Sequence, residues 1–423
     1  KYPLFFNMEY IYEAKEDILG LIYISCKNIG NRKATGSYYT STRVVRILIN
    51  KLDFQESQKI LDPCCGTGNF LLQLPEHVSF EEVYGNDIDS TSVKITRLNM
   101  ALKYNISIST IYEHITKLNY LTNYNIHNFQ YIIGNPPWGY EFSETEKSKL
   151  RTLFKSASGK NIESYDIFIE QALNHLASKG HLVYVLPEAI LTVKAHKEIR
   201  EIILKNCSIK NLDFLGNAFD GVQCPCIILD LQCTHSGLTT LGMNVNTDNE
   251  SFTINTERKV NSEYFSFTTS DAEYNVMNKI KNLSNASFLL GNADFALGIV
   301  TGNNKEYISD KKTNDNEMVL KGADISKYHI NQTKNYIIFK PENFQQIAPT
   351  EMYRAQEKLL YRFISSQLVF AYDDKQTLSL NSCNIVIPKI PGCKIKYVLA
   401  ILNSRIAQFI YKKDFNSVKV LRS

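Results

Sequence analysis

The sequence predicts an open, mostly parallel α/β sheet, followed by a second domain of mixed α+β structure. In the front of the chain, short apolar runs alternate with longer stretches of helical periodicity, which is typical of a parallel sheet. The composition then changes. Thr, Asn, Ser and Gly dominate residues 234–262, and the regular spacing of hydrophobic residues is lost. We therefore expect a first domain over 1–240, a linker over 241–262 and a second domain over 263–423.

Each expected element has a local signal. Helices combine helical spacing of apolar residues with capping residues such as Ser41 or Thr42, and strands are short apolar runs that end at turns. In the first domain we expect helices over 8–26, 41–52, 70–74, 90–104 and 165–177, and strands over 59–62, 83–87, 131–133, 181–186, 209–215 and 226–231. In the second domain we expect strands over 336–340, 368–372 and 385–387 and a helix over 395–411.

The composition excludes several classes of protein. With 423 residues, of which 44% are hydrophobic and 21% charged, the chain is neither disordered nor collagen-like nor a coiled coil. No apolar stretch approaches the roughly 18 residues of a membrane span, and no secretory signal is visible, so we expect no contact with a membrane. The nine cysteines form no CxxC pair and no Cys/His metal spacing. This indicates reduced thiols in a cytoplasm and no metal site.

The charge is distributed unevenly along the chain. Residues 279–423 contain 21 lysines and arginines and 12 aspartates and glutamates, a net charge of +9, whereas the rest of the chain carries −5. A basic back half next to an acidic front half indicates that the back half contacts a polyanion.

A glycine-rich turn follows the first strand. Gly66 and Gly68 allow the backbone to approach a ligand closely, and Asp87 ends the next strand about 20 residues later, where a carboxylate can bind both hydroxyls of a ribose. No lysine follows the last glycine, so the turn is not a P-loop. Asp62, at the end of the first strand, would repel a diphosphate but suits a cationic sulfonium ligand with an amino group. A tight turn without a ligand remains the alternative.

The tetrapeptide Asn135-Pro136-Pro137-Trp138 follows the strand over 131–133. The two prolines fix the backbone and remove two N–H donors, which leaves a rim of hydrogen-bond acceptors. The Asn135 side-chain oxygen and the Pro136 carbonyl are placed to accept from an exocyclic amino group, and Trp138 is suited to stacking on a base. If both N–H groups of the amino group donate hydrogen bonds to these oxygens, its nitrogen is prepared to attack a methyl group without a strong general base. A proline-stiffened turn around a buried Trp is the alternative.

Together these residues resemble the S-adenosylmethionine-dependent amino-methyltransferases, and more narrowly the TaqI-like adenine-N6 DNA methyltransferases of the gamma arrangement. The segment Gly36-Ser37-Tyr38-Tyr39-Thr40 precedes the glycine turn, as in that family. Looser similarities lie in the back half, at 297–304, 320–324 and 400–404. The resemblance implies a Rossmann-like catalytic domain and a C-terminal target-recognition domain.

The resemblance also implies roles for individual residues. Asn119 stands where the family has an acid that holds the cofactor adenine, and Phe219 stands where it has a second aromatic against the flipped base. The expected cofactor-binding residues are Tyr39, Thr40, Asp62, Cys64, Gly66, Gly68, Asp87, Ile88, Asn119 and Tyr120. The expected catalytic residues are Asn135, Pro136, Pro137 and Trp138, with Trp138 and Phe219 stacking on the base. The candidates for DNA contact are Lys305, Lys321, Lys358, Arg362 and Arg405.

The expected function is therefore site-specific methyl transfer from S-adenosylmethionine to N6 of a flipped-out adenine in double-stranded DNA, by a monomer in a prokaryotic cytoplasm. Two alternatives stay open: a methylating component of a larger restriction or phage-defence complex with further subunits, and an RNA amino-methyltransferase. The long basic back half disfavours a protein glutamine methyltransferase, and the intact tetrapeptide disfavours a non-catalytic DNA-binding protein.

Overall fold

The computed structural model describes residues 15–26, 39–159, 161–219, 224–234, 237, 239–248 and 250–415. The chain divides into two compact units, Lys1–Asp271 and Ala272–Ser423. No helix in the described ranges is long and apolar enough to cross a bilayer.

The first unit is built on one nine-stranded sheet. Its strands are β1 (Ile60–Asp62), β2 (Val83–Asp87), β3 (Ile115–Lys117), β4 (Phe129–Gly134), β5 (Leu176–Pro187), β6 (Cys207–Asn217), β7 (Pro225–Cys233), β8 (Met243–Asn246) and β9 (Ser251–Ile254). The strand order is β3-β2-β1-β4-β5-β7-β6-β8-β9. The first five strands in this order pair in parallel, and β7 is antiparallel to both of its neighbours. The expected α/β fold with a mostly parallel sheet is confirmed.

The helices of the first unit lie mainly between consecutive strands. They are α1 (Ile18–Cys26), α2 (Thr42–Ile49), α3 (Asn69–Leu72), α4 (Ser90–Tyr104), α5 (Ile108–His114), α6 (Tyr120–Asn123), α7 (Glu144–Leu153), α8 (Ser164–His175), α9 (Ala189–Thr192) and α10 (Lys197–Asn206). The local sequence was sufficient to predict helix α4, because both of its ends have clear caps. The Asp89 side chain accepts a hydrogen bond from the Thr91 N–H, and Asn105 ends the helix in the left-handed conformation.

The site depends on where the parallel strands end. All three residues of β1 are buried, and β1 lies between β2 and β4 in parallel register. The carboxyl ends of these three strands therefore meet at one edge of the sheet, where open α/β sheets bind ligands. Asp62, Asp87 and Gly134 are the last residues of the three strands.

Residues 241–262 are not simply a linker, contrary to our expectation. This stretch contains β8 and β9, which extend the sheet beyond β6. In β8, Met243 and Val245 are buried, whereas Asn244 and Asn246 are not. Alternation over four residues is enough for a strand that buries one face, and the polar composition around it concealed this signal. Likewise, β3, α5, α6, α7, α9 and α10 were not predicted.

The second unit contains two four-stranded sheets and a short hairpin. Its strands are β10 (Ala293–Ala296), β11 (Ile308–Ser309), β12 (Glu317–Leu320), β13 (Ile325–Ser326), β14 (His329–Ile330), β15 (Tyr336–Ile337), β16 (Lys358–Arg362), β17 (Phe370–Asp373), β18 (Leu378–Ser379) and β19 (Cys383–Pro388). The sheet orders are β10-β19-β16-β17 and β11-β15-β12-β18, and β13 pairs with β14.

The helices of the second unit are α11 (Asp271–Lys281), which begins at the unit boundary, α12 (Asn304–Tyr307), α13 (Thr350–Tyr353), α14 (Ile395–Leu402) and α15 (Arg405–Ile410). One hydrophobic core contains Leu360 and Ile385, and a second core contains Leu359 and Val386 with residues of α14. Neighbouring residues of one strand thus enter different cores, because side chains alternate across a sheet. The mixed α+β structure expected of this region is confirmed.

Candidate active site

A cavity of about 360 Å³ lies in the first unit, at the edge where β1, β2 and β4 end. Its lining includes most of the residues that the sequence predicted for cofactor and substrate. These are Tyr39, Thr40, Cys64, Gly66, Asp87, Ile88, Asn119, Tyr120, Asn135 and Pro137. Gly36, Ser37 and Tyr38 of the preceding segment lie outside the described residues.

The glycine turn is tied to the end of β2. The Gly66 N–H donates to Asp87 Oδ2 at 2.8 Å, and the Asp89 N–H donates to Asp87 Oδ1 at 2.8 Å. Gly66 has φ +53°, and a Cβ added there would meet no atom within 4 Å, so it would project into open space. A glycine leaves that space for a ligand that approaches the backbone.

The cavity also has an apolar wall. Ile88 is 61% exposed and Leu118 is 39% exposed, although both are large aliphatic side chains. Tyr120 stacks on Phe168 with ring centroids 5.5 Å apart, and both residues line the cavity. Exposed aliphatic side chains beside aromatic rings in a cavity wall suit a flat heterocycle. Phe168 was not predicted, because nothing in helix α8 alone marks it as different from a core residue.

Asp62 lies beneath the cavity and is not part of its lining. It is fully buried, accepts from the Cys64 N–H at 3.2 Å through Oδ1, and its Oδ2 has no hydrogen-bond partner in the described part of the chain. Burial raises the pKa of Asp62 well above its ordinary value, and the nearby charge of Asp87 raises it further. Gly134, with φ +143°, permits this approach, since a Cβ there would lie 2.6 Å from Asp62 Oδ1.

Gly68 also lies outside the lining. It is the N-cap residue of α3 and has φ +92°. The structure therefore brings eight of the ten predicted cofactor residues to the cavity wall. It places Asp62 and Gly68 behind that wall, where they shape the turn.

Asn135 presents an unsatisfied acceptor. Its Nδ2 donates to Thr40 Oγ1 at 3.0 Å, which fixes which way the amide points. Its Oδ1 is buried and has no hydrogen-bond partner among the described residues. Buried polar atoms nearly always have a partner, so an acceptor that lacks one in a ligand-sized cavity indicates a donor supplied by a ligand.

The rest of the tetrapeptide is held by helix α8. Ser164 Oγ donates to the Pro137 carbonyl at 2.5 Å and accepts from the Tyr140 N–H at 3.4 Å. Pro136 is buried and does not line the cavity. The stretch Pro137–Tyr140 is thus tied by a fully buried serine at the start of a helix.

The two aromatic rings expected to hold a base contact each other. Trp138 is 7% exposed and meets Phe219 edge to face, with ring centroids 4.8 Å apart and planes at 81°. A base sandwiched between two rings needs about 7 Å, which is two van der Waals layers. A base therefore fits between these two rings only after they separate.

The residue directly before helix α1 makes a contact that the sequence did not reveal. Asp17 is fully buried and accepts from the Gly20 N–H at 2.9 Å, from Asn99 Nδ2 at 3.0 Å and from Thr67 Oγ1 of the glycine turn. Ile24 of the same helix lines the cavity. Asp17 lies 50 residues before Thr67, so no local pattern pairs them.

Asn86 and Asn119 connect the loops around the cavity. The Asn86 amide donates to the carbonyls of Pro63 and Leu118 at 3.2 and 3.1 Å, so it joins the glycine turn to the loop after β3. Asn119 Oδ1 accepts from the Leu121 N–H at 3.0 Å and caps α6. This oxygen keeps a second lone pair for a ligand. A buried asparagine at the end of a strand was the available signal for Asn86.

The five basic candidates of the second unit differ in environment. Lys305 and Arg405 are exposed, Lys321 donates to Asn335 Oδ1 at 2.8 Å, and Arg362 donates to the Ile325 carbonyl at 2.6 Å. Lys358 is fully buried, with Nζ 2.6 Å from Asp373 Oδ2. The expectation that Lys358 contacts DNA is therefore wrong, because its charge is compensated inside the core.

Within the described ranges, no group of three or more His, Cys, Asp or Glu side chains is placed to hold a metal ion.

Comparison with known families gives two matches in chain order. The family described as N-6 DNA Methylase matches residues 14–282, and the TaqI-like C-terminal specificity domain matches residues 317–422. The first match covers more than half of the chain.

Similar curated proteins are described as a methyltransferase and a methylase subunit, and a solved structure is similar in fold. Type II methyltransferase M.VspI from Vibrio sp. (strain 343) is 29% identical over 74% of this chain and 76% of its own length. The type I restriction enzyme EcoEI methylase subunit from Escherichia coli is 26% identical over 48% of this chain and 42% of its own length. The structure of the ATP-dependent type ISP restriction-modification enzyme LlaBIII bound to DNA aligns with a TM-score of 0.54 at 11% identity. That alignment covers 89% of this chain and 38% of that one, and it concerns the fold alone.

Proposed function

The chain belongs to the N-6 DNA methylase family, and from that premise we propose that it transfers a methyl group from S-adenosylmethionine to N6 of an adenine in duplex DNA. The observation that carries the proposal is the Asn135 amide. Its nitrogen is engaged by Thr40, and its buried oxygen has no partner among the described residues. An exocyclic amino group supplies the donor that this oxygen lacks.

The cavity fits S-adenosylmethionine by its donor and acceptor set. Asp87, at the end of β2, would accept from the ribose hydroxyls, and the open space at Gly66 would receive the adjoining part of the cofactor. Ile88, Tyr120 and Phe168 would pack on its adenine ring. Tyr39 and Thr40 lie on the same wall and would contact the methionine end.

The protein's own residues prepare the acceptor nitrogen. When bound, S-adenosylmethionine supplies an electrophilic methyl group on a sulfonium. Asn135 Oδ1 would accept a hydrogen bond from the N6 amino group and draw its lone pair out of conjugation with the ring, and the Pro136 carbonyl would accept a hydrogen bond from the second N–H. Asn135 carries no charge and takes up no proton, so the proton lost from N6 leaves to solvent.

The target base must leave the duplex to reach this cavity, because N6 of a paired adenine is enclosed by the base stack. Trp138 would stack on the extruded base after it separates from Phe219. Stacking of a base on an aromatic ring is worth about 1–3 kcal/mol, comparable to part of the extrusion cost. The second unit, which matches the specificity domain, would position the duplex through its basic residues.

We further propose that the chain works in a restriction-modification system, because one relative is described as a type II methyltransferase and another as the methylase subunit of a type I restriction enzyme. The chain spans 42% of the EcoEI methylase subunit and 76% of M.VspI. The presence of partner subunits, action as a monomer and a cytoplasmic location are parts of this proposal.

The test uses the full chain, tritiated S-adenosylmethionine and three separate substrates: genomic duplex DNA, ribosomal RNA and protein extract. Nucleoside analysis should recover the label as N6-methyladenine from duplex DNA alone. Label in RNA or in protein would overturn the DNA assignment but leave the cofactor site intact. Binding of S-adenosylmethionine without transfer to any substrate would also count against the proposal for the chain acting alone.

A further inference from the structure

The turn between β16 and β17 in the second unit exposes two consecutive apolar side chains. Phe363 is 59% exposed and Ile364 is 64% exposed. Tyr328, whose N–H donates to the Phe370 carbonyl at 2.8 Å beside this turn, is 44% exposed. Isolated exposed apolar residues are common, but adjacent ones on a turn indicate a contact surface.

The turn is held in place from several sides. The Phe363 N–H donates to the Ser382 carbonyl at 3.1 Å, and the Leu368 N–H donates to Gln408 Oε1 at 2.8 Å. The Tyr411 hydroxyl donates to the Ser365 carbonyl at 3.0 Å. Hydrogen bonds at both ends and in the middle therefore anchor the backbone of the turn that carries the two exposed apolar side chains.

The segments that meet at this turn are basic. Residues 327–340, 361–372 and 394–412 together contain eight lysines and arginines and no aspartate or glutamate. Arg362 immediately precedes the apolar pair, and Arg405 lies one helical turn before the anchoring Gln408 in α15. Segments of net positive charge therefore contribute contacts to a turn that exposes an apolar pair.

We propose that Phe363 and Ile364 enter the base stack of the recognition duplex as a wedge while the surrounding cations contact its phosphates. The inference rests on the proposed function. A surface that bound only phosphates would need the cations but not the apolar pair, whereas DNA-bending proteins insert such side chains between base steps and unstack them. Unstacking at the recognition site lowers the cost of extruding the target adenine.

The test compares Phe363→Ala/Ile364→Ala with wild type on two duplexes that carry the methylated sequence mapped with wild type. One duplex is fully paired, and the other has a mismatch opposite the target adenine. We expect the single-turnover methylation rate of the variant to fall about tenfold on the paired duplex. On the mismatched duplex, where the base is already unpaired, its rate should lie within about threefold of wild type.

A matched control removes two other exposed apolar side chains of the same unit. Phe288 and Leu290 are 73% and 87% exposed, and Phe288→Ala/Leu290→Ala should match wild type on both duplexes. An unchanged rate for the Phe363/Ile364 variant would overturn the wedge. An equal loss on both duplexes would also overturn it, since that result indicates damage to folding or to general DNA binding. Failure of wild type to methylate DNA would instead overturn the proposed function and, with it, this inference.

Discussion

The glycine-turn side and the tetrapeptide side of the cavity differ in how fully the protein satisfies one side chain on each, Asp87 and Asn135. On the glycine-turn side, Asp87 accepts backbone N–H groups through both oxygens, and Asn86 joins two loops through its amide. On the tetrapeptide side, Asn135 Oδ1 has no partner among the described residues, and the Trp138 and Phe219 rings, which are outside the cavity lining, contact each other.

This difference indicates two modes of binding. Groups whose hydrogen bonds are already made form a preorganised surface, and binding there requires little rearrangement. A buried acceptor without a partner costs free energy until a donor arrives, and its site is complete only with that donor present. We therefore expect changes on the glycine-turn side to alter cofactor affinity and changes on the tetrapeptide side to alter the rate of transfer.

Asn135→Ala should have the largest effect. Removing the amide oxygen should lower the single-turnover methyl-transfer rate by about 10²–10³-fold, similar to the loss of one preorganised group in other active sites. Affinity for S-adenosylmethionine, measured by calorimetry, should stay within about twofold of wild type. Asn244→Ala, on strand β8 of the same sheet, is the control and should leave both quantities unchanged. A variant that mainly loses cofactor affinity would remove the distinction between the two sides.

Asp87→Ala should show the opposite pattern. It removes the acceptor for the Gly66 N–H and the negative charge at the end of β2, so we expect the Kd for S-adenosylmethionine to rise about 10–100-fold. The transfer rate at saturating cofactor should stay within a few-fold of wild type, whereas Glu81→Ala, an exposed acid nearby, should change neither quantity. A loss confined to the rate at saturating cofactor would contradict the assignment of Asp87.

Thr40→Val tests the orientation of the catalytic amide. Without the hydroxyl that accepts from Asn135 Nδ2, the amide can rotate, and we expect the transfer rate to fall about tenfold. Thr40→Ser keeps the hydroxyl and should restore most of the rate. Equal rates for the valine and serine variants would show that the contact does not matter.

Asp17→Asn should have the smallest effect on activity and acts through the glycine turn. An amide NH₂ would replace an oxygen that accepts hydrogen bonds, so we expect the KM for S-adenosylmethionine to rise about threefold and the Tm to fall. Gly20→Ala should behave alike, because its Cβ would lie 2.0 Å from Asp17 Oδ2. Ser25→Ala, on the exposed face of α1, is the control. A change in Tm without a change in KM would limit Asp17 to folding.

The sequence was sufficient where function depends on short local patterns. The positions of Asp87 and Asn135 followed from the strands that precede them, because parallel strands end at one edge of the sheet. The bounds of α4 and β2 also agreed with the sequence, since each has clear caps or turns at its ends.

The sequence was insufficient where function depends on contacts between distant segments. Asp17 reaches the glycine turn from 50 residues away, and Lys358 is neutralised by Asp373 on the neighbouring strand. A lysine in a basic region is indistinguishable from a surface lysine until its partner is known. The burial of Asp62 was equally hidden, because the sequence shows an acid at the end of the first strand but not that its carboxyl lies outside the cavity lining.

The role of the Asn135 oxygen can be measured directly by a double-mutant cycle across protein and DNA. Binding of wild type and Asn135→Ala, each saturated with S-adenosylhomocysteine, is compared on duplexes with adenine or purine at the target position. Purine lacks the 6-amino group, and the cycle cancels its different pairing strength. A coupling free energy of about 1 kcal/mol, the usual net value of one hydrogen bond, is the expected result. A coupling of zero would contradict a hydrogen bond between Asn135 and the target amino group.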